Sequence, residues 1–483
     1  MIAKYLCAAA AGLLVTGAVG KDIDLEKHVR KYWTNYHNVK VEIGNGDKRW
    51  PVTPELKAER LRHFEAAMQR FAPHHVEESK KIDKILGWKE GTYLGILRFG
   101  MKKVENTPEQ KNPAHECTSW ITMDNLTGGK EIIMHKNRDS RGRSLCLQRR
   151  ARPGKHAWIG NGSTHSFYPT AGINDRGVVV MMNSGDAHAE ADNSQYGLST
   201  GLICRMLLEE CGSAIEAVEM LEKIVRANAY THVECGSIWF IGDATNVYIT
   251  EHNARNIVTK AVNSGFIARA NAFHYPEMQI YSLRNYKGLV SHARREFAVR
   301  DFMVNKQWRN NGVITALDNA AASRIDSYAE NDKCYPPCGR STISASTFTI
   351  DKEYPEYLSS AYMTFSWPKS SVFLPIPLTV REIPEEILNG SYSHRSFALM
   401  EKKAPILPAD KLAELEKRIY GRHQAAVEKA RVLLRTSTKH TVQTDVAKLL
   451  NDAFAENFKD IQSVIAANPP AAEKKKLKVL SNN

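Results

Sequence analysis

Cysteine is scarce: eight residues in a chain of 483, too few for a scaffold held together by disulfides. Long apolar runs are missing too. No stretch reaches the roughly 20 residues that a spanning helix needs. Charge of one sign does not dominate either, since 66 Lys+Arg stand against 53 Asp+Glu, a formal net charge of +13. The basic residues are scattered, with short runs only at Arg149-Arg150-Ala151-Arg152 and Lys474-Lys475-Lys476. No helix-turn-helix, finger or aromatic RNA-binding strand accompanies them, so the excess reads as a solvated basic surface and no nucleic-acid partner is expected. No internal repeat is visible. What is present is ordinary globular composition, 43% hydrophobic and 25% charged, which excludes a wholly disordered or fibrous chain. The length allows two to three domains, or one large one.

The first residues read as an address. Lys4 supplies a positive start, Leu6 to Val19 is apolar and small, and Ala18-Val19-Gly20 precedes the polar Lys21-Asp22. Residues 1–20 are therefore expected to be a secretory signal peptide, and the protein exported, periplasmic or secreted. Cys7 sits too early for lipid attachment. Seven cysteines remain, Cys117, Cys146, Cys204, Cys211, Cys235, Cys334 and Cys338. An odd number leaves at least one thiol unpaired, either buried or kept reduced for use. Cys334-Tyr-Pro-Pro-Cys338 reads as a small disulfide loop. No ligand set has metal spacing, so neither a metal nor an organic cofactor is expected.

The chain divides by texture. Residues 21–116 form a helical segment and linker. Pro54 to Arg70 carries Leu56, Leu61, Phe64, Ala67 and Met68 near the helical period behind Thr53 as N-cap, and a second helix is expected from Val76 to Leu86. Glu105 to His115 is polar and reads as an exposed linker. A core follows over 117–405, two helices over 406–468 and a disordered tail over 469–483. Within the core, Thr118–Met123 and Glu131–His135 flank the turn residues Asn125–Gly129 and predict a hairpin. Further strands are expected at Gly177–Asn183, Ser237–Ile241, Val247–Thr250, Ile257–Ala261, Phe266–Ala270, Ile343–Ile350 and Tyr362–Trp367. Helices interrupt them at Leu198–Glu210, Ser213–Ala227 and Val290–Val304, and two more span Asp410–Leu434 and Val442–Ala466. Hairpins, then helices, then strands predict an α+β fold of antiparallel sheets covered by helices.

Cys117 opens the first strand, and the hairpin returns as His135-Lys136-Asn137-Arg138-Asp139. That return is expected to set Asp139 beside Cys117. A thiol nucleophile needs a base. Cleavage before Cys117, after Glu116, would free an α-amine whose reference pKa of about 7.7–8.0 suits proton transfer near neutrality. Asp139 would then orient that amine. Taken alone, a cysteine at the start of a strand is more often core.

Cys117-Thr-Ser with Lys136-Asn-Arg-Asp139 resembles the start of the cysteine N-terminal-nucleophile hydrolases. The closest groups are the acyl-CoA:6-aminopenicillanate acyltransferases and linear-amide hydrolases; bile-salt hydrolases, penicillin V acylases and N-terminal-Cys dipeptidases are similar. Lys136 stands where these families carry Arg. Ala171 to Asn183 is similar to their Gly-x-Asn-x-x-Gly strand pair, and Ala268-Arg-Ala-Asn271 to their Asn-bearing segment. Ser291-His-Ala-Arg294-Arg295 resembles their Arg-bearing helix, with Arg294 or Arg295 in the site. Ser341 to Asp351, then Ala361 and Phe373 to Ile376, resemble their late strands, so the likeness covers roughly 117–380. It implies a four-layer αββα core and a pro-segment removed by self-cleavage between Glu116 and Cys117. Asn183 or Asn271 would face the oxyanion, and Arg294 or Arg295 with Lys136 would favour the thiolate. No cofactor is implied. The cleaved pro-segment is expected to be able to stay bound.

The leading expectation is thus an exported, self-processing amide hydrolase, acting on an N-acyl amino compound, a small peptide or a penicillin-type side chain, with acyl transfer open. Its rivals are a Cys/His thiol protease using His135 or His165, and a binding protein that kept the shell. Trp158 and Tyr168 are candidate pocket walls, though packing is the commoner role. Asn125, Asn161 and Asn389 open glycosylation sequons.

Overall fold

The computed structural model describes residues 25–32, 43, 53–99, 117–140, 144–149, 154–163, 168–185, 187, 197–231, 236–263, 265–282, 286–310, 312–325, 336–339, 341–380, 382–388 and 407–467. The expected signal peptide, the 105–115 linker, Glu116, His165, Cys235, Cys334, Asn389 and the tail lie outside them.

The helices before the core are α1 (Leu25–Tyr32), α2 (Pro54–Phe71), α3 (Pro73–Leu86) and α4 (Thr92–Phe99). Thr53 caps α2 by accepting from the Leu56 amide at 3.2 Å, with Pro54 in the first turn, where its missing N–H costs nothing. Among the described residues fifteen strands follow. β1 (Cys117–Thr122), β2 (Glu131–Asp139), β3 (Ser144–Arg149), β4 (Trp158–Ser163), β5 (Pro169–Asn174) and β6 (Val179–Ser184) come first. The short strands β7 (Leu198–Ser199) and β8 (Tyr230–Thr231) bracket helices α5 (Thr200–Glu210) and α6 (Ala214–Arg226). Next are β9 (Ser237–Gly242), β10 (Val247–His252), β11 (Ile257–Ala261) and β12 (Phe266–Arg269), then α7 (Pro276–Gln279), α8 (Tyr286–Asn310) and α9 (Ala316–Ala322). The chain closes with β13 (Thr342–Asp351), α10 (Pro355–Leu358), β14 (Ser360–Thr364), β15 (Leu374–Pro377), α11 (Glu385–Leu388), α12 (Ala409–Thr436) and α13 (Val442–Ala467).

The strands form two large antiparallel sheets. One has six strands in the order β12-β1-β2-β13-β14-β15, the other seven in the order β11-β10-β9-β6-β5-β4-β3. Their facing sides share one core, with Ile121, Met134, Phe348 and Met363 from the first sheet against Ile173, Val179, Met181, Phe240 and Ile249 from the second. The period of two sends alternate residues outward. Val180, Met182, Trp239 and Ile241 meet α5 and α6 in a second cluster, and Trp120 meets Val299 and Met303 of α8 in a third. This is the four-layer αββα arrangement the resemblance implies.

Both flanking helical regions belong to this core more fully than their sequence texture suggests. Phe64, Met68, Val76 and Leu94 from α2–α4 join the cluster under α5 and α6. Leu412, Leu415, Phe454 and Ile461 from α12 and α13 join the cluster between the sheets. Burying such side chains contributes about 1.5–3 kcal/mol each, so these helices are structural walls.

Local chemistry explains the turns. In the β5–β6 hairpin Asn174 Oδ1 accepts from the amides of Arg176 and Val178, both at 3.0 Å. Gly177 takes φ +77°, where a side chain would be strained. The turn expected at Asn125–Gly129 is a 3-10 helix, Asp124–Thr127, that ends on Gly128 at φ +68°.

Several expectations are corrected here. Cys338 is a free, buried thiol, so it forms no disulfide loop. Its amide donates to the Ile325 carbonyl and the Pro337 carbonyl accepts from Asn137, which seats the segment against β2. Asn161 is buried, with its amide nitrogen on Ser346 and the Thr364 carbonyl, so that sequon is closed to a glycan; Asn125 is exposed. Strands β3 and β4 lie where no strand was expected. Trp158 and Tyr168, the candidate pocket walls, pack in the core under α5. Among the described residues no helix is long and apolar enough to cross a membrane.

Candidate active site

The site begins at the first residue of β1. β1 pairs with β2 in the register Cys117↔Arg138, Ser119↔Lys136 and Trp120↔His135. Ile121 and Met134 face the other sheet, so alternation aims Cys117, Ser119, Lys136 and Arg138 into the space between the sheets. Trp120, His135, Asn137 and Asp139 fall on the outward face. The residue directly opposite Cys117 is therefore Arg138, and Asp139 lies one position further on. The Asp139 carboxylate accepts from Thr342 Oγ1.

Lys136 is buried and reaches across to the second sheet. Its ammonium donates to the Met182 carbonyl and to Asn183 Oδ1, the latter at 2.8 Å. Burial pulls it below the usual lysine range, while its charge interaction and hydrogen bond with Cys117 work the other way. All three ammonium protons are thus placed. Arg138 is lowered to about 10 by burial, again opposed by the charge of Cys117. Two buried cations consequently face one thiol.

The main chain of Cys117 is clamped from the other side. Its N–H donates to Asn271 Oδ1 at 2.9 Å, and its carbonyl accepts from an Arg295 nitrogen at 2.7 Å. Arg295 also reaches Thr118 Oγ1 (3.1 Å), Asn271 Oδ1 (3.1 Å) and His292 Nδ1 (2.7 Å). The pair left open by sequence is resolved by the helical turn of α8: Arg295 is buried, Arg294 is exposed.

Asn183 differs from its expected part. Its side-chain N–H groups donate to the Arg269 and Ala270 carbonyls, and its oxygen accepts from Lys136 and Ser119 Oγ. Both its protons are spent, so in this arrangement it positions Lys136 and offers an oxyanion nothing. Asn271 gives one N–H to the Ser184 carbonyl at 2.9 Å, and its second proton is free to serve a substrate oxygen. Glu116, at the expected cut, lies outside the described residues.

Sequence reasoning missed Arg138 and Ser119 as site residues. The signal was present in the hairpin register, because counting back from the turn pairs them with Cys117 and Lys136. His135 stacks on Trp120 with ring centroids 3.9 Å apart, and its nitrogens engage Thr347 Oγ1 and Asn137 Oδ1. Burial drives it down to about 3. It faces away from Cys117, which removes it as the base of a thiol protease.

Residues 126–314 match the model of the acyl-coenzyme A:6-aminopenicillanic acid acyl-transferase family, a stretch that contains Lys136, Asp139, Asn183, Asn271 and Arg295 and starts beyond Cys117. No curated protein matches the chain. Among solved structures, the conjugated bile acid hydrolase of Clostridium perfringens aligns with TM-score 0.33 and 12% identity over 52% of this chain and 89% of that one. Penicillin V acylase of Agrobacterium tumefaciens aligns with TM-score 0.35 and 11% identity over 55% and 86%. The Caenorhabditis elegans ortholog of N-acylethanolamine-hydrolyzing acid amidase gives TM-score 0.31 and 12% identity over 48% and 92%.

Proposed function

We propose that the protein is an exported cysteine amidase of the N-terminal-nucleophile type, matured by cleavage between Glu116 and Cys117. It acts on a linear amide, an N-acyl amino compound, a small peptide or a penicillin-type side chain. The observation that carries the reading is the triple hold on one residue: Asn271 on the Cys117 N–H, Arg295 on its carbonyl, and Lys136 on its sulfur. A core cysteine has no use for such a set of buried charges, which cost several kcal/mol each to desolvate.

Maturation begins when Sγ attacks the Glu116 carbonyl. The C–N bond breaks, the acyl group moves to sulfur, and the Cys117 nitrogen becomes an α-amine. Water hydrolyses the thioester and restores the thiol. In turnover the α-amine, held by Asn271 Oδ1, takes the thiol proton as Sγ attacks the substrate carbonyl. The second N–H of Asn271 and main-chain N–H groups meet the oxyanion, each donor contributing about 3–4 kcal/mol to the barrier. The same amine protonates the leaving amine, then deprotonates the water that resolves the thioester. A second amine in place of water gives acyl transfer. Lys136 and Arg138 stabilise the negative charge that develops on the sulfur as its proton passes to the amine, and Asp139 interacts with the Lys136 charge. The packing of α2–α4 on α5 and α6 supports a cleaved N-terminal fragment that stays bound.

Intact mass and N-terminal sequencing of the purified exported protein test this. The expected chain begins Cys-Thr-Ser-Trp beside a separate N-terminal fragment, and Cys117→Ala gives one uncut chain without amidase activity. An active Cys117→Ala enzyme, or turnover by a single chain beginning near Lys21, overturns it.

A further inference from the structure

We propose that His74 and His75 of α3 and Glu209 of α5 form a binding site for one divalent transition-metal ion of the zinc type, joining the N-terminal helices to the core. The site stands on the outer face of the seven-stranded sheet, in a different layer from Cys117, and does not depend on the proposed amidase activity.

The geometry carries it. The ligand atoms of the three side chains all lie within 4.8 Å of one another. His74 Nε2 is 3.1 Å and His75 Nε2 3.4 Å from the same oxygen, Glu209 Oε2. Around a tetrahedral zinc with bonds of about 2.0–2.1 Å, neighbouring ligand atoms stand about 3.3 Å apart, so two edges of that tetrahedron are already at length. His75 is the second observation. Its side chain is fully buried, Nδ1 makes no hydrogen bond, and Nε2 has only the long, poorly aligned 3.4 Å contact with Glu209 Oε2. A buried ring so poorly bonded, aimed at a carboxylate, is costly in a protein that gains nothing from it.

The surroundings prepare the carboxylate. Glu209 Oε1 accepts from Arg205 Nε at 2.8 Å and from Trp158 Nε1 at 3.2 Å, which leaves Oε2 turned to the imidazoles. Such outer contacts orient a ligand and hold it for its metal. The guanidinium is bound end-on by Glu78 at 2.6 and 2.9 Å, so its charge is already matched. Imidazole and carboxylate together suit zinc and its neighbours rather than calcium or magnesium. A quarter of the His74 side chain is exposed, which gives the ion an entry and a water the fourth position. Glu210, 3.8 Å from His74 Nε2, is held by Lys155 and borders that entry.

The test uses the full purified protein with any cleaved fragment retained, stripped with EDTA and titrated with zinc chloride and, separately, cobalt chloride. The expected result is about one equivalent bound, intense visible bands of tetrahedral cobalt, and a rise in Tm on adding zinc. His74→Gln and Glu209→Gln should each weaken binding at least about tenfold. His74 is partly exposed, so its variant is the one to trust for folding, checked by circular dichroism. Zinc binding undiminished in both variants, octahedral cobalt spectra, or no binding by the stripped wild type would leave a metal-free His74–Glu209 hydrogen bond and overturn the proposal.

Discussion

Two buried polar clusters lie on opposite faces of the β6–β9 region. Between the sheets, Lys136 and Arg138 face Cys117, and Arg295 reaches the Cys117 carbonyl from the α8 side. Outside the seven-stranded sheet, Glu78 and Glu209 flank Arg205 beside two imidazoles. Burial alone does not distinguish them, since both hide groups that prefer water. The chemistry of the side chains does. Cations beside a thiol suit a developing oxyanion, whereas a carboxylate with two imidazoles suits a metal ion. Neutral histidines elsewhere, such as His135, serve packing.

This contrast can be broken in graded steps. Lys136→Met removes the cation at the sulfur. We expect amidase activity to fall about 10²–10³-fold, as for loss of one electrostatic stabiliser, with slower alkylation of Cys117 near neutrality and little change in thermal stability. Lys136→Arg should restore much of the rate. A Lys136→Met enzyme as fast as wild type would show that the ammonium at the sulfur is incidental. In the opposite cluster, Glu78→Gln leaves Arg205 half matched. Breaking a buried pair costs about 3–5 kcal/mol, read as a lower denaturation midpoint of the full chain; an unchanged midpoint would mean that water enters this cluster.

Acid is a probe of the neutral histidines. Burial lowers His135 to about 3 and His252 and His423 to about 4, from 6.5. The unfolded chain takes up these protons first, so stability is full above about pH 6.5 and declines as pH falls from there through about 4 and 3. A denaturation midpoint that stays flat across this window would contradict the burial of these rings. The smallest effect belongs to Ser119→Ala, which deletes the 2.8 Å bond to Asn183. About 1 kcal/mol of stability should go, with activity reduced only as far as Lys136 loosens. A loss comparable to Lys136→Met would place Ser119 itself in the chemistry.

Much of the frame was legible in advance. Thr53, the 3.6 period and Pro54 announced α2, and apolar runs set beside turn residues announced β1, β2, β6, β9 and β10. The strands that escaped notice explain themselves. β4 reads Trp-Ile-Gly-Asn-Gly-Ser, where glycines and a buried Asn161 erase the alternation; Gly160 is there because a Cβ would meet the Ala171 carbonyl at 2.7 Å. In the site, Cys117, Lys136, Asn271 and an Arg of α8 were named from sequence, but their working parts were not. Asn183 was expected to face an oxyanion, and it instead holds Lys136. That depends on which carbonyls lie within reach, and those of Arg269 and Ala270 come from a strand nearly ninety positions away.

Local order in this protein follows from short-range rules: caps, turns and periodicity, each decided by atoms a few bonds apart. Those rules were enough to place Cys117 at the start of a strand and Arg294 and Arg295 on one helix. Which arginine is buried, which residue stands opposite the thiol, and which carboxylate meets the imidazoles outside the sheet were decided only by tertiary packing. Charge acts through space, and the Glu78–Arg205 and Cys117–Arg295 contacts join positions 127 and 178 apart. No window on the sequence contains both partners, so their balance exists only once the layers close.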